Sequence, residues 1–282
     1  IIGIPLPMDI MKNAIDTTVP LLESSNSASE NIANAILTTD LVKKEIAIEN
    51  DNYTISGITK GSGMINPNMA TMLCFIFTDA DVSSNILEKC LKNSVNKSFN
   101  RISVDGDTST NDSVVVLANG LSNVKVDTID KIESFSKALD FVCVELAKKI
   151  ARDGEGATKL IECECVNAKS QEDAERISKS VIDSSLVKSA VFGEDPNWGR
   201  IIAAVGYSGA EMELDKIEIY LGTLRVVNKG IGVSFSQEEA KKELQKECVK
   251  IIINMNLGNF CSKAWGCDLS YNYVKINAQY HT

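Results

Sequence analysis

The sequence predicts an α+β fold in which layered sheets are covered by helices. Three observations carry that prediction. Alternating or wholly apolar runs of strand length recur along the chain. Segments with helical periodicity stand between them. The two kinds come partly in blocks and not in strict alternation, which disfavours a doubly wound parallel sheet. The chain has 282 residues, 44% hydrophobic and 24% charged, enough apolar matter for a sizeable core.

The elements follow in order. Residues 27–38 predict a helix, with Ala28, Ile32, Ala35 and Ile36 at helical spacing. Residues 45–48 and 53–58 alternate around Asn50-Asp51-Asn52, which reads as a hairpin. A Gly-rich turn over 60–68 leads to the buried-type run Met72 to Phe77. Residues 84–100 predict a helix with Ile86, Leu87, Cys90, Leu91, Val95 and Phe99 along one face. Residues 113–118 read as a strand or a helix start. Residues 131–151 give the clearest helix, stepping through Ile132, Phe135, Leu139, Val142, Leu146 and Ile150 and stopping at Asp153-Gly154-Glu155-Gly156. Residues 159–166 alternate as a strand around Glu162 and Glu164. Residues 171–188 predict one helix, and 201–206, 216–221 and 223–228 predict strands. Ser236 with Glu239 forms a capping box for a helix running to residue 253, and 269–278 read as a last strand.

Charge and residue counts narrow the function. Lys and Arg number 29 against 38 Asp and Glu, a net charge of −9 with no basic block, which argues against nucleic-acid binding. The one histidine, His281, is the penultimate residue. A Ser-His-Asp or Cys-His arrangement would have to use it, and zinc sites built on paired histidines are excluded. A catalytic base near neutral pH is then a group other than imidazole. No basic stretch followed by a long apolar one stands at the start and no run of about 18 apolar residues occurs, so neither a signal peptide nor a membrane span is expected. A start inside the apolar Ile1-Ile2-Gly3 segment is expected of a fragment of something longer. The eight cysteines are scattered through apolar or alternating segments, so reduced, mostly buried thiols and a cytoplasmic location are expected. Cys163 and Cys165 share a strand face, without a second pair to complete a metal site.

Three further motifs have ordinary structural readings. Lys60-Gly61-Ser62-Gly63 precedes a strand-like run, so it is no dinucleotide fingerprint. Asp105 to Asp112 begins like a calcium loop, but Thr110 and Val116 stand where Gly and Glu are needed. A structured Asp/Ser/Thr turn is expected instead. Asp195-Pro196-Asn197-Trp198-Gly199-Arg200 reads as a loop anchoring a strand, although Arg200 could instead face a substrate carboxylate.

The segment K-G-S-G-M-I-N-P-N-M-A-T-M-L-C-F-I-F-T-D over 60–79 admits two readings. One is an ordinary loop before a buried strand. The other is chemistry: a small residue before a Thr at a strand start suits self-cleavage. The Thr hydroxyl attacks the preceding carbonyl, and hydrolysis of the ester frees a new α-amine. That amine, with an ordinary pKa of about 7.7–8.0, can serve as base for its own hydroxyl. Such a device needs no histidine.

The block K-G-S-G-M-I-N-P-N-M-A-T-M-L resembles the signature of the ornithine acetyltransferase (glutamate N-acetyltransferase) family of arginine biosynthesis. L-T-T-D at 37–40, S-V-D-G-D-T-S-T-N-D at 103–112, A-R-D-G-E-G-A-T-K at 151–159, F-G-E-D-P-N-W-G-R at 192–200 and Y-V-K-I-N-A-Q-Y-H-T at 273–282 resemble further blocks of that family, in the same order. The resemblance implies an αββα-like fold of the N-terminal-nucleophile type. It implies self-cleavage between Ala70 and Thr71, with Thr71 as nucleophile and acetyl carrier from N-acetylornithine to glutamate. Residues 1–70 would then be the C-terminal part of an α chain and 71–282 the β chain, assembled as α2β2. It places substrate contacts at Lys60, Thr71, Glu155, Asn277 and Thr282, and at Thr38, with Thr39 left open. It implies no metal, no cofactor, no nucleic acid and no membrane, with acetyl-CoA open as a second donor. The family's oxyanion Thr-Gly pair would lie immediately before residue 1, and His281 stands where relatives commonly have arginine.

The residue types suit those roles. Ornithine and glutamate share an amino-acid end and differ at the tip, an amine in one and a carboxylate in the other. Lys60 offers a fixed cation, Glu155 a fixed anion, and Asn277 both donates and accepts. The competing readings are an amidase or aminopeptidase with water as acceptor, and an uncut binding scaffold without activity.

Overall fold

In the computed structural model, residues 3, 5–66 and 72–279 are described. A four-stranded sheet has the order β1-β2-β3-β5, from β1 (Lys44–Asn50), β2 (Tyr53–Lys60), β3 (Leu73–Thr78) and β5 (Ser113–Ala118). A seven-stranded sheet has the order β4-β11-β6-β10-β7-β8-β9. Its strands are β4 (Ile102–Ser103), β6 (Leu160–Ala168), β7 (Glu218–Leu221), β8 (Leu224–Asn228), β9 (Ile231–Gly232), β10 (Cys248–Asn254) and β11 (Phe260–Cys267).

Helices α3 (Ser84–Lys97) and α4 (Ile129–Arg152) pack on each other, and α4 touches β1 and β2 on one side and β11, β4 and β6 on the other. One core therefore joins Ile55, Cys74 and Ile76 of the first sheet to Phe135, Leu139, Leu146 and Ile150 of α4. The other face of the seven-stranded sheet is covered by α5 (Gln171–Asp183), with α6 (Ser185–Phe192) and α7 (Trp198–Gly206) beside it, and by α8 (Gln237–Leu244). Ile177, Val181 and Val205 meet Ile161, Cys163, Ile219 and Ile251 in that second core. The result is the layered α+β arrangement read from the sequence. Helices α1 (Met8–Thr18) and α2 (Asn26–Ala35) precede the first sheet, and α9 (Tyr271–Gln279) follows β11.

The β1–β2 hairpin forms because Asp51 and Asn52 adopt φ of 47° and 67°, which suits the twist of a two-residue turn. The ambiguous 113–118 segment is strand β5, parallel to β3. Four expectations are corrected. Residues 171–188 form two helices, because Ser184 is extended and its hydroxyl caps α6 by accepting the Val187 N–H. Residues 201–206 belong to a helix, not a strand. Asn197 caps α7 by accepting the Arg200 N–H, and Ile201, Ala204 and Val205 bury one helical face. The helix opened by Ser236 ends at Leu244, and the apolar run after it is β10, with Val249, Ile251 and Ile253 buried. Residues 269–278 hold the helix α9, and the last strand is β11.

All eight cysteines are free and six are buried. Burial, with the Asp173 charge adding to it, pushes the Cys165 thiol up to about 12. Among the described residues no group of three or more His, Cys, Asp or Glu side chains could hold a metal ion.

Candidate active site

The site is built around the loop that leaves β2 at Lys60. Carboxylates hold its backbone. Asp40 Oδ1 accepts the Gly61 N–H at 2.6 Å and pairs with Lys44 Nζ at 2.6 Å. Lys44 is fully buried and also pairs with Asp153 Oδ2 at 2.6 Å. Asp153 in turn accepts the Leu41 N–H at 3.0 Å, so one buried cation ties the T-T-D segment to the end of α4. Burial works to raise the Asp40 pKa, but the Gly61 N–H and Lys44 outweigh it and hold the carboxyl below its ordinary value. Asp105 takes the next two amides, Met64 N–H at 2.7 Å and Ile65 N–H at 2.9 Å. Beyond the loop, Asp112 accepts the Met72 N–H at 2.5 Å.

Two pairs of expected site residues flank this backbone. Lys60 Nζ donates to Thr38 Oγ1 at 3.1 Å. Asn277 Nδ2 donates to Glu155 Oε2 at 2.8 Å, and Glu155 is only 8% exposed. The Glu155 N–H bonds the Ser62 carbonyl at 2.8 Å, which ties the second pair to the loop. A Cβ on Gly63 would lie 2.5 Å from each Glu155 carboxylate oxygen, so any side chain there would displace the carboxylate. Asn277 arrives on α9, which crosses Gly156. Gly156 has φ +70°, its carbonyl accepts Ser270 Oγ–H at 2.5 Å, and a Cβ there would lie 2.5 Å from the Tyr273 nitrogen. Tyr273 faces Asp105 at 3.4 Å. Burial, then the charges of Asp105, Asp107 and Glu155, push its phenol above the ordinary range.

Thr39 turns the other way and shares a 2.6 Å hydrogen bond with Ser62. Ala70, Thr71, His281 and Thr282 lie outside the described residues. Arg200 Nη1 donates to the Leu186 carbonyl at 2.9 Å, and its motif caps a helix where a strand anchor was expected. Sequence reasoning gave no role to Asp40, Asp112 or Asp153. It did mark the T-T-D and S-V-D-G-D-T-S-T-N-D blocks, in which Asp40, Asp105 and Asp112 prove to hold backbone amides. A separate cavity of about 550 Å³, lined by Asp195, Asn197, Trp198 and Phe235 among others, contains none of the expected site residues.

Fold and site together define an α+β architecture in which a lysine, Lys60, and a buried carboxylate, Glu155, are tied to one loop. The model described as "ArgJ family" matches residues 1–282. The chain belongs to the ArgJ family. It is 49% identical over 288 residues to the arginine biosynthesis bifunctional protein ArgJ of Bacillus cereus (strain ATCC 10987 / NRS 248), covering all of this chain and 70% of the relative. It is 51% identical to the protein of that name from Streptococcus thermophilus (strain CNRZ 1066), covering all of this chain and 71% of the relative. The crystal structure of arginine biosynthesis bifunctional protein argJ from Bacillus halodurans superimposes with a TM-score of 0.71 at 48% identity, covering 73% of this chain and 98% of that one. Among the described residues no helix is long and apolar enough to cross a membrane.

Proposed function

We propose that this protein moves an acetyl group from N-acetylornithine to glutamate through an acetyl-threonine intermediate, after cleaving itself between Ala70 and Thr71. The observation that supports the reading is that the Lys60–Thr38 and Glu155–Asn277 pairs both adjoin the loop that leads to Ala70-Thr71, Lys60 preceding it and the Glu155 N–H bonding its Ser62 carbonyl. Glu155 suits the side-chain amine of ornithine and Lys60 the side-chain carboxylate of glutamate. Thr38 is the better candidate contact, since it is exposed beside Lys60 while the Thr39 hydroxyl is engaged by Ser62. Thr282 completes the proposed set on the resemblance alone.

The chemistry needs only side chains and the new terminus. Thr71 Oγ attacks the Ala70 carbonyl, and the Thr71 nitrogen leaves as an amine. Water then hydrolyses the ester, freeing the Ala70 carboxylate. The amine takes the hydroxyl proton as Oγ attacks the acetyl carbonyl of N-acetylornithine, and ornithine departs with that proton. Attack by the glutamate amine reverses the sequence. The two pieces, 1–70 and 71–282, stay together because β2 and β3 on either side of the cut are paired from Ile55↔Thr78 to Lys60↔Leu73. The residues from Thr71 onward make up about three quarters of the chain, and the Bacillus halodurans chain, covered almost entirely, spans a similar share. An α2β2 assembly follows from the resemblance. The word bifunctional in the relatives' names supports a second activity, with acetyl-CoA as donor. The free thiols support a reducing, cytoplasmic setting.

The test is the mass of the denatured protein. Active protein should give a piece that begins at Thr71, and Thr71→Ala should remain whole and form no acetyl-enzyme. An active protein found only as one intact chain would overturn the reading. Release of free acetate from N-acetylornithine without any need for glutamate would replace transfer with hydrolysis.

A further inference from the structure

We propose that Asp112 is the positioning residue of the nucleophile: its Oδ1 fixes the amide joining Thr71 to Met72, and its Oδ2 accepts a hydrogen bond from the α-amine that cleavage creates. The proposal rests on Thr71 being the nucleophile.

Met72 and Asp112 immediately precede β3 and β5, neighbouring parallel strands. Met72 is held at three points. Its N–H donates to Asp112 Oδ1 at 2.5 Å, its carbonyl accepts the Ser113 N–H at 3.0 Å, and its side chain is buried. The gripped N–H belongs to the peptide unit of the Thr71 carbonyl. The carboxylate is therefore one peptide unit from the nucleophile whatever conformation residue 71 takes.

The second oxygen carries the rest of the argument. Asp112 Oδ2 is buried and has no hydrogen-bond partner among the described residues. A buried carboxylate oxygen without a donor is costly, and a carboxylate accepts on both oxygens. Successive main-chain nitrogens form a natural seat for an anion, so the nitrogen preceding that of Met72 is the donor that matches. Once cleaved, that nitrogen is an amine with hydrogens to spare. Lys60 on β2 is the charged group acting on Asp112. Burial raises the carboxyl to about 7 despite the Met72 N–H and the Lys60 charge. That value lies near the ordinary α-amine range of about 7.7–8.0, so the two groups can share a proton at little cost.

The test compares the full protein with Asp112→Asn, whose amide oxygen keeps the Met72 bond but whose NH2 cannot accept from the amine. We expect kcat to fall roughly tenfold or more with KM for N-acetylornithine within about twofold. The acid limb of the kcat–pH profile should move to lower pH, because an adjacent carboxylate stabilises the ammonium form. A folded Asp112→Asn protein that stays uncut also supports the proposal. Parental kcat with an unmoved pH profile overturns it. If Asp112→Asn loses its cooperative melt, Asp112→Ser is read by the same criteria. Thr71→Ala is run in parallel: cleavage or acetyl-enzyme in that variant sinks the nucleophile reading. An inert Thr71→Ala beside a parental Asp112→Asn sinks only the role given to Asp112.

Discussion

Gly63 packs against Glu155 with no room for a side chain between them. Its Cβ would lie 2.5 Å from both Glu155 carboxylate oxygens, and the displaced carboxylate would leave Asn277. Gly63→Ala should raise KM for N-acetylornithine roughly tenfold or more, the scale of one hydrogen bond to a charged group. Cleavage should persist, because the clash falls on Glu155 and not on the Met72 anchor. Steady-state kinetics beside the denatured mass checks both halves. Lys60 and Glu155, by contrast, are ordinary residue types whose placement only the wider pattern of blocks made legible. The aspartates that hold the loop were illegible for a physical reason. Asp40, Asp105 and Asp112 each bond a backbone amide at least 21 residues away in sequence, and no local spacing signals such a partner.

Among the elements, α9 is held by contacts and not by an apolar face of its own, for it buries no residue. It is seated through Ser270 on the Gly156 carbonyl, with Gly156 packed beneath Asn272 and Tyr273. Gly156→Ala should lift α9 and separate Asn277 from Glu155. The expected signs are faster limited proteolysis across 271–279 and a raised KM, with little change in the melting midpoint. An unchanged cleavage pattern would show that α9 tolerates the side chain. The same economy explains why the sequence misled at this element: Tyr271, Tyr273, Lys275 and Asn277 alternate with smaller or apolar residues as in a strand, and no buried face betrays the helical period. Helix α7 failed for the opposite reason, since nine mostly apolar residues fit either period. Helix α4 was legible because nine buried residues across 24 repeat the three-and-four step. Strand β10 was hidden because its apolar run follows the capped helix α8 after only three residues.

For the whole molecule, stability and site geometry are coupled through buried charge, and the two main carboxylates pull in opposite directions with pH. Lys44 neutralises Asp40 and Asp153 together, joining the segment before β1 to the end of α4. Lys44→Met would leave two buried carboxylates without their cation, at a cost of about 3–5 kcal/mol, read as a lowered denaturant midpoint. Asp40, whose pKa is lowered on folding, contributes stability that is present above its unfolded value and lost as pH falls below it. Asp112 is raised to about 7, so its contribution is present below its unfolded value and lost as pH rises toward and through 7. In the uncut chain the second effect governs the range from pH 5 to 8, where Asp40 is already ionised. Thr71→Ala protein should therefore lose stability between pH 5 and 8. The double variant Thr71→Ala with Asp112→Asn should lose less over the same interval, because the amide has no proton to give up. Thermal melts of the two proteins at both pH values make the comparison. Equal losses would mean that the Asp112 carboxyl ionises in the folded protein as freely as in the unfolded chain, and that its burial carries no electrostatic cost for a new α-amine to relieve.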